Sequence, residues 1–273
     1  MAFAVKIVTF IVVGILVCAV LLTLLCPPAW VGVMNRAIKS GNSAMVSFLL
    51  WPPGAEKPVN YSFRIADMSG FTPLEAACLY GTPDMVALLV ERGGEVNPDG
   101  GWPPLIYACA SDNPHKNEII RTLVAAGADI NAETSDGHSP LGCAMWGKIN
   151  TDGSLGNRPA EETDEDATYE TFLVMEELGA DLSGATFFAA TNDNVKILQY
   201  LDERGLLSLD DDESGDEKTY LMMTAIFDAP RAAEFLLEKG VDKTVKDKDG
   251  KTAYDYAVEY GHEDVAVILK EGA

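Results

Sequence analysis

A chain of 273 residues with 48% hydrophobic content is long enough to bury one sizeable core or to stack smaller units side by side. Its 42 acidic residues against 20 basic ones give a formal net charge of -22, which repels nucleic acid and anionic headgroups and makes a basic protein the natural complement. The same charge also serves plain solubility, and both readings stand.

The chain opens on its most apolar stretch. Ile7 to Cys26 is twenty residues without charge or proline, preceded by Lys6. As a helix this crosses a hydrocarbon layer of about 30 Å. A cleaved signal has a core of about 7–15 apolar residues before a small-x-small site. Val17-Cys18-Ala19 only approximates such a site, since more apolar residues follow. A lipid anchor on Cys26 would want small residues where Thr23-Leu24-Leu25 stand. An uncleaved anchor is therefore expected ahead of those two alternatives, with domain boundaries at 1–30 and 31–273. Orientation nearly ties, Lys6 opposing Arg36 and Lys39. The basic start favours an extracytoplasmic body on a single-pass anchor.

After the anchor, Ala37, Gly41, Met45, Val46, Leu49 and Leu50 suggest an atypical helical unit, leading into a polar connection from Trp51 to Arg64. The next stretch, Asp67 to Asn97, holds every part of a helix-turn-helix unit. Gly70 permits a tight turn, Thr72-Pro73 caps and starts a helix, and Leu74, Ala77 and Cys78 form its buried face. Gly81 ends that helix. Pro83 opens a second helix with the stripe Met85, Val86, Leu88 and Leu89, and Gly93-Gly94 stops it.

The pattern recurs at Pro103-Pro104-Leu105 and at Ser139-Pro140-Leu141. A degraded unit follows, with Phe187 or Phe188 in the leucine slot. Two more come at Thr219-Tyr220-Leu221 and Thr252-Ala253-Tyr254, the last expected to act as a cap. Leu74 to Leu105 is 31 residues, Leu105 to Leu141 is 36 and Leu221 to Tyr254 is 33, around a period of about 33. This pattern resembles the ankyrin repeat. The expectation is an all-α solenoid of six to seven ankyrin repeats with finger loops, preceded by one transmembrane helix and interrupted by an insertion around 148–166. No unit carries the family's histidine after the leucine, Glu75 standing there in the best one.

Cys78, Cys109 and Cys143 fall at small-residue positions, and stacked helices about 8–10 Å apart hold such cysteines beyond disulfide reach. Reduced, buried thiols are expected. His115, His138 and His262 lie in different units with no second histidine at ligand spacing. No catalytic, cofactor or metal site follows, and the chain is expected not to be an enzyme. Asp210 to Glu217 imitates the start of a calcium loop, but its twelfth position is Leu221 instead of glutamate. That tract and Glu161 to Asp166 read as solvated loops.

The ankyrin resemblance implies that partners are gripped by the fingers and the exposed side of each first helix, a concave strip. The residues that fall there are Phe71, Leu79, Tyr80, Trp102, His138 and Trp146, and four of them are aromatic, a type enriched at binding hot spots. The competing reading is that the rings only cover gaps between fingers and helices. Together these features predict a membrane-tethered module that binds a basic protein partner, as an inhibitor or toxin-immunity protein. The alternative is a structural scaffold in a membrane complex, and no small-molecule substrate is evident.

Overall fold

The computed structural model describes residues 27–50, 59–62, 70–150, 154–157, 164–209 and 218–271. The expected anchor, residues 7–26, lies outside them. Among the described residues no helix is long and apolar enough to cross a membrane. They hold fourteen helices and one two-stranded sheet. The helices form seven sequential pairs: α1 (Pro27–Lys39) with α2 (Ser43–Leu49), α3 (Pro73–Tyr80) with α4 (Pro83–Glu91), α5 (Pro104–Cys109) with α6 (Lys116–Ala125), α7 (Pro140–Trp146) with α8 (Glu165–Glu177), α9 (Ala185–Thr191) with α10 (Val195–Glu203), α11 (Tyr220–Ile226) with α12 (Pro230–Glu238), and α13 (Ala253–Tyr260) with α14 (Glu263–Glu271).

The described residues fall into two compact units. One takes the chain up to Asp129 with Ile149–Leu155, and the other takes Ile130–Lys148 with the chain from Gly156 onward. The elements follow from local chemistry. Thr72 and Thr252 close reciprocal capping boxes with Glu75 and Asp255, each satisfying two helix-end donors. Glu75 thus replaces the missing histidine with a helix cap, although burial raises its pKa. Gly93, Gly127, Gly179, Gly205 and Gly240 close the second helices at φ between +66 and +93°, a region that costs other residues a clash at Cβ.

Successive pairs are tied by a repeated hydrogen-bond device. Asn97 donates to the Gly127 carbonyl at 2.7 Å and accepts from the Asp129 amide at 3.0 Å. Asn60 does the same with Gly93 and Glu95, and Asn131 with Gly179 and Asp181. A second series closes the first helices: Asn113 donates to the Gly81 carbonyl at 2.9 Å, Asn192 donates to that of Met145, and His262 Nδ1 meets that of Ala225 at 2.8 Å.

One core position recurs in register. Two residues after the first-helix caps of the second to sixth pairs stand Leu74, Leu105, Leu141, Thr186 and Leu221, all at most 3% exposed. Met34, eight residues before the α2 cap as Leu74 is before the α4 cap, is equally buried. This register corrects one expectation. In the degraded unit the leucine slot is Thr186, whose hydroxyl accepts from the Ser208 amide at 3.2 Å, and Phe187 and Phe188 sit one and two places further on.

Cys78, Cys109 and Cys143 are buried and free of disulfides. Trp30 belongs to α1 and is fully buried. Among the described residues of the insertion, Gly147–Ile149 and Leu155–Asn157 pair as β1 and β2. Its acidic end is also engaged. Glu165 receives Arg231 at 3.0 Å, and Asp166 pairs with Lys196. Asp210 to Glu217 lies outside the described residues. Among those described, no group of three His, Cys, Asp or Glu is placed to hold a metal.

Candidate protein-binding surface

In the first unit the aromatic residues divide between cover and surface. Phe71 precedes the cap of α3, and its carbonyl accepts from Asn35 at 2.9 Å. Its ring meets Tyr107 of α5 edge-on at 5.3 Å, and Trp102 lies 5.8 Å from the same tyrosine. Phe71 is 5% exposed and Leu79 7%. Both were expected on the outward strip, and the structure corrects that placement. Tyr107 stands four residues after its cap, and its ring closes over Phe71 from the following pair; Leu79 is on the buried side of α3. Trp102 is half-buried. Burial raises the Tyr107 hydroxyl far above the usual phenol value, so it remains a neutral donor.

Tyr80 remains at the surface, 44% exposed. The Lys39 ammonium lies 5.3 Å from its ring centroid, within cation–π range. Tyr80 also lines an open groove of about 470 Å³ with Leu79, Asn113, His115 and Ile149. Ile149 comes from β1, so the insertion contributes to this groove. His115 pairs with Glu118 at 3.2 Å on the exposed side.

In the second unit, first-helix residues converge into one cluster. Trp146, at the end of α7, lies 6.3 Å from Phe187, 6.3 Å from Phe188 and 5.4 Å from Phe227. Phe187 and Phe188 meet edge to face at 5.4 Å. All four rings are half-buried. Space for Phe188 comes from Gly142 on the preceding first helix, where an added Cβ would fall 2.6 Å from the ring tip. Edge-to-face rings at these separations hold one another while leaving faces open to water.

Trp146 alone was expected from the sequence. Phe187 or Phe188 was expected in the leucine slot, where Thr186 stands, and Phe227 follows α11 as its C-cap, outside the motif positions that had been compared. His138 is exposed, in a finger turn where its amide donates to the Thr134 hydroxyl at 3.0 Å. Of the six expected residues, only Trp146 enters the four-ring cluster. Leu79 and Tyr80 share the groove of the first unit, and Phe71 and Trp102 share Tyr107.

Repeated helix pairs, glycine-closed second helices and asparagine-linked fingers define a class of protein. The chain belongs to the ankyrin repeat family: the model for "Ankyrin repeats (3 copies)" matches residues 34–134 and 178–273. It is thus a protein–protein interaction module. Protein phosphatase 1 regulatory subunit 27 of Homo sapiens is 38% identical over 74 residues, 26% of this chain and 46% of that protein. The ankyrin repeat and KH domain-containing protein mask-1 of Caenorhabditis elegans is 28% identical over 223 residues, 73% of this chain and 8% of its own length. The chain therefore spans less than half of either relative. The crystal structure of the human ASB11 ankyrin repeat domain superposes with a TM-score of 0.63 at 20% identity, covering 86% of this chain and 96% of that one. This likeness shows the fold.

Proposed function

We propose that the chain holds a basic protein partner against the first-helix face of its repeats while residues 7–26 tether it to a membrane. The observation that carries the binding site is the cluster of Trp146, Phe187, Phe188 and Phe227, four half-buried rings from three successive first helices. Large rings around a desolvated centre are the composition of an interface hot spot. The net charge of -22 supports a basic partner by steering its approach. The uncharged run Ile7 to Cys26 supports the tether, and Lys6 before it supports repeats on the extracytoplasmic side.

The action proposed is inhibition by masking, of which a toxin-immunity protein is one form. A relative named as a phosphatase regulatory subunit fits a regulatory, non-catalytic role. The test is crosslinking in membranes followed by mass spectrometry, comparing the natural chain with Trp146→Ala and Phe227→Ala. The natural chain captures one stoichiometric basic protein, and both variants lose it while keeping their helical circular dichroism. Variants that capture the partner undiminished would leave the rings as gap cover only. Release of the chain from membranes by alkaline carbonate would refute the tether separately.

A further inference from the structure

In the second unit the first helices α7, α9 and α11 carry no charged residue, in a chain where 23% of residues are charged. Their residues that reach solvent are Trp146, Phe187, Phe188, Met223 and Ile226, and Phe227 follows as the C-cap of α11. Contiguous apolar surface of this kind marks an interaction site. Aliphatic side chains alone would serve an aliphatic ligand. Here most of the surface is aromatic rings, whose faces carry negative potential.

The rings stand at steep angles to one another. Trp146 and Phe187 meet at 89° with centroids 6.3 Å apart, and Trp146 and Phe227 at 80° and 5.4 Å. A cation set between Trp146 and Phe187 can lie within about 6 Å of both centroids, the reach of cation–π attraction. Other rings already hold cations of the chain itself: Lys39 lies over Tyr80, Arg204 over Tyr200, Lys239 over Phe235 and Lys251 over Tyr256, at 4.9 to 5.3 Å. Among the described residues none lies over the four-ring cluster.

A carboxylate stands beside these rings. Asp228 follows Phe227 directly, is exposed, and holds φ +55°, a conformation that strains most non-glycine residues. Nine residues after their caps, Asp193, Asp228 and Gly261 share this left-handed turn. Glycine meets it without strain. Asp193 puts its carboxylate to structural use, accepting from the Ala232 amide of the following pair at 2.7 Å. The Asp228 carboxylate has no partner among the described residues.

We propose that the cluster takes an arginine side chain of the partner, its guanidinium lying against Trp146 and the neighbouring rings, with Asp228 as the countercharge. The contact rests on the reading of these rings as the partner site and names the group they read. A guanidinium suits them because it is planar, weakly hydrated and stacks on aromatic faces. The net charge of -22 draws a basic segment to the chain without choosing a position on it; the rings and Asp228 supply the position.

Isothermal titration of the full chain in detergent with acetyl-tetraarginine amide and with its tetracitrulline counterpart tests this, at about 0.3 M salt to screen diffuse attraction. Citrulline keeps the shape of arginine and loses its charge. The citrulline peptide binds at least about tenfold more weakly than the arginine peptide. Trp146→Leu weakens the arginine peptide about fivefold. Asp228→Asn weakens it about threefold with helical circular dichroism intact, since asparagine also tolerates the left-handed turn. Glu234→Gln, at an exposed position of α12, leaves binding unchanged. Equal binding of the two peptides, indifference to both Trp146→Leu and Asp228→Asn, or an equal loss on Glu234→Gln would each overturn the proposal. If crosslinking shows the partner lost on Trp146→Ala while the arginine peptide is not preferred, the arginine contact falls and the partner site stands; a chain that fails both tests loses both.

Discussion

Replacing Trp146 by alanine tests whether the aromatic cluster is a packed structure with an open face. The indole meets Phe187, Phe188 and Phe227 at 5.4 to 6.3 Å. Each such pair contributes about 0.5–1.5 kcal/mol beyond burial, and truncating a fully buried tryptophan costs about 3–5 kcal/mol. Trp146 is only half-buried, and its three ring partners retain contact with one another. The expected loss is therefore below the fully buried case, about 2–3 kcal/mol. At a urea m-value of about 3 kcal/mol/M, the second unit's transition, followed by far-ultraviolet circular dichroism, moves down by about 1 M. A shift under about 0.2 M would mean that the indole is not packed on its neighbours. A loss above about 4 kcal/mol would mean that it is core, and would remove the argument for a binding face.

Asn97→Ala removes both finger bonds to Gly127 and Asp129; at about 0.5–1.5 kcal/mol each and exposed to water, they predict a loss of about 1–2 kcal/mol in urea melts of the first unit. Gly127→Ala places a Cβ at φ +93° and should cost about 1–2 kcal/mol in the same melts. Burial pushes the Cys143 thiol up to about 12 and holds that of Cys78 well above the usual thiol range, so neither reacts with an aromatic disulfide reagent at pH 8 until urea unfolds the repeats. Asp247 is held below the usual carboxylate range by the Tyr256 hydroxyl and by the Lys251 and Asp249 amides. A depressed folded-state pKa stabilises above the unfolded value of about 3.9, and that stability is lost as pH falls through the folded value. Protection factors of the amides over 247–257 should therefore fall below about pH 4, and in Asp247→Asn they should already be low at pH 7.

Much of the fold could be read from the chain because the features that mark it are local. Thr72-Pro73, Ser139-Pro140 and the glycines at 93, 127 and 179 act within a turn of where they stand, so caps and stops are legible one residue at a time. The degraded unit failed for a definite reason. Its cap is Gly184, with neither the side-chain oxygen of Thr72, Ser139, Thr219 and Thr252 nor the proline pair at Pro103, and without such a mark the two phenylalanines drew the leucine position away from Thr186. The hairpin Gly147–Ile149 with Leu155–Asn157 was missed because strands of three residues carry too little alternation to be seen.

The site was less legible because exposure in a stacked array belongs to pairs of repeats and not to single ones. Phe71 and Trp146 both looked like outward rings when each motif was read alone. Phe71 is covered because the following repeat supplies Tyr107. Phe188 finds room because the preceding repeat supplies Gly142, and it then supports Trp146 instead of sealing it. The residue four places after one cap thus decides the fate of rings on the repeat before it. Exchanging that position should move aromatic surface predictably: Tyr107→Ala should uncover Phe71 and increase quenching of Trp102 by iodide, while leaving the Trp146 environment unchanged. If Trp102 stayed equally protected, cover from the following repeat would not be what buries Phe71.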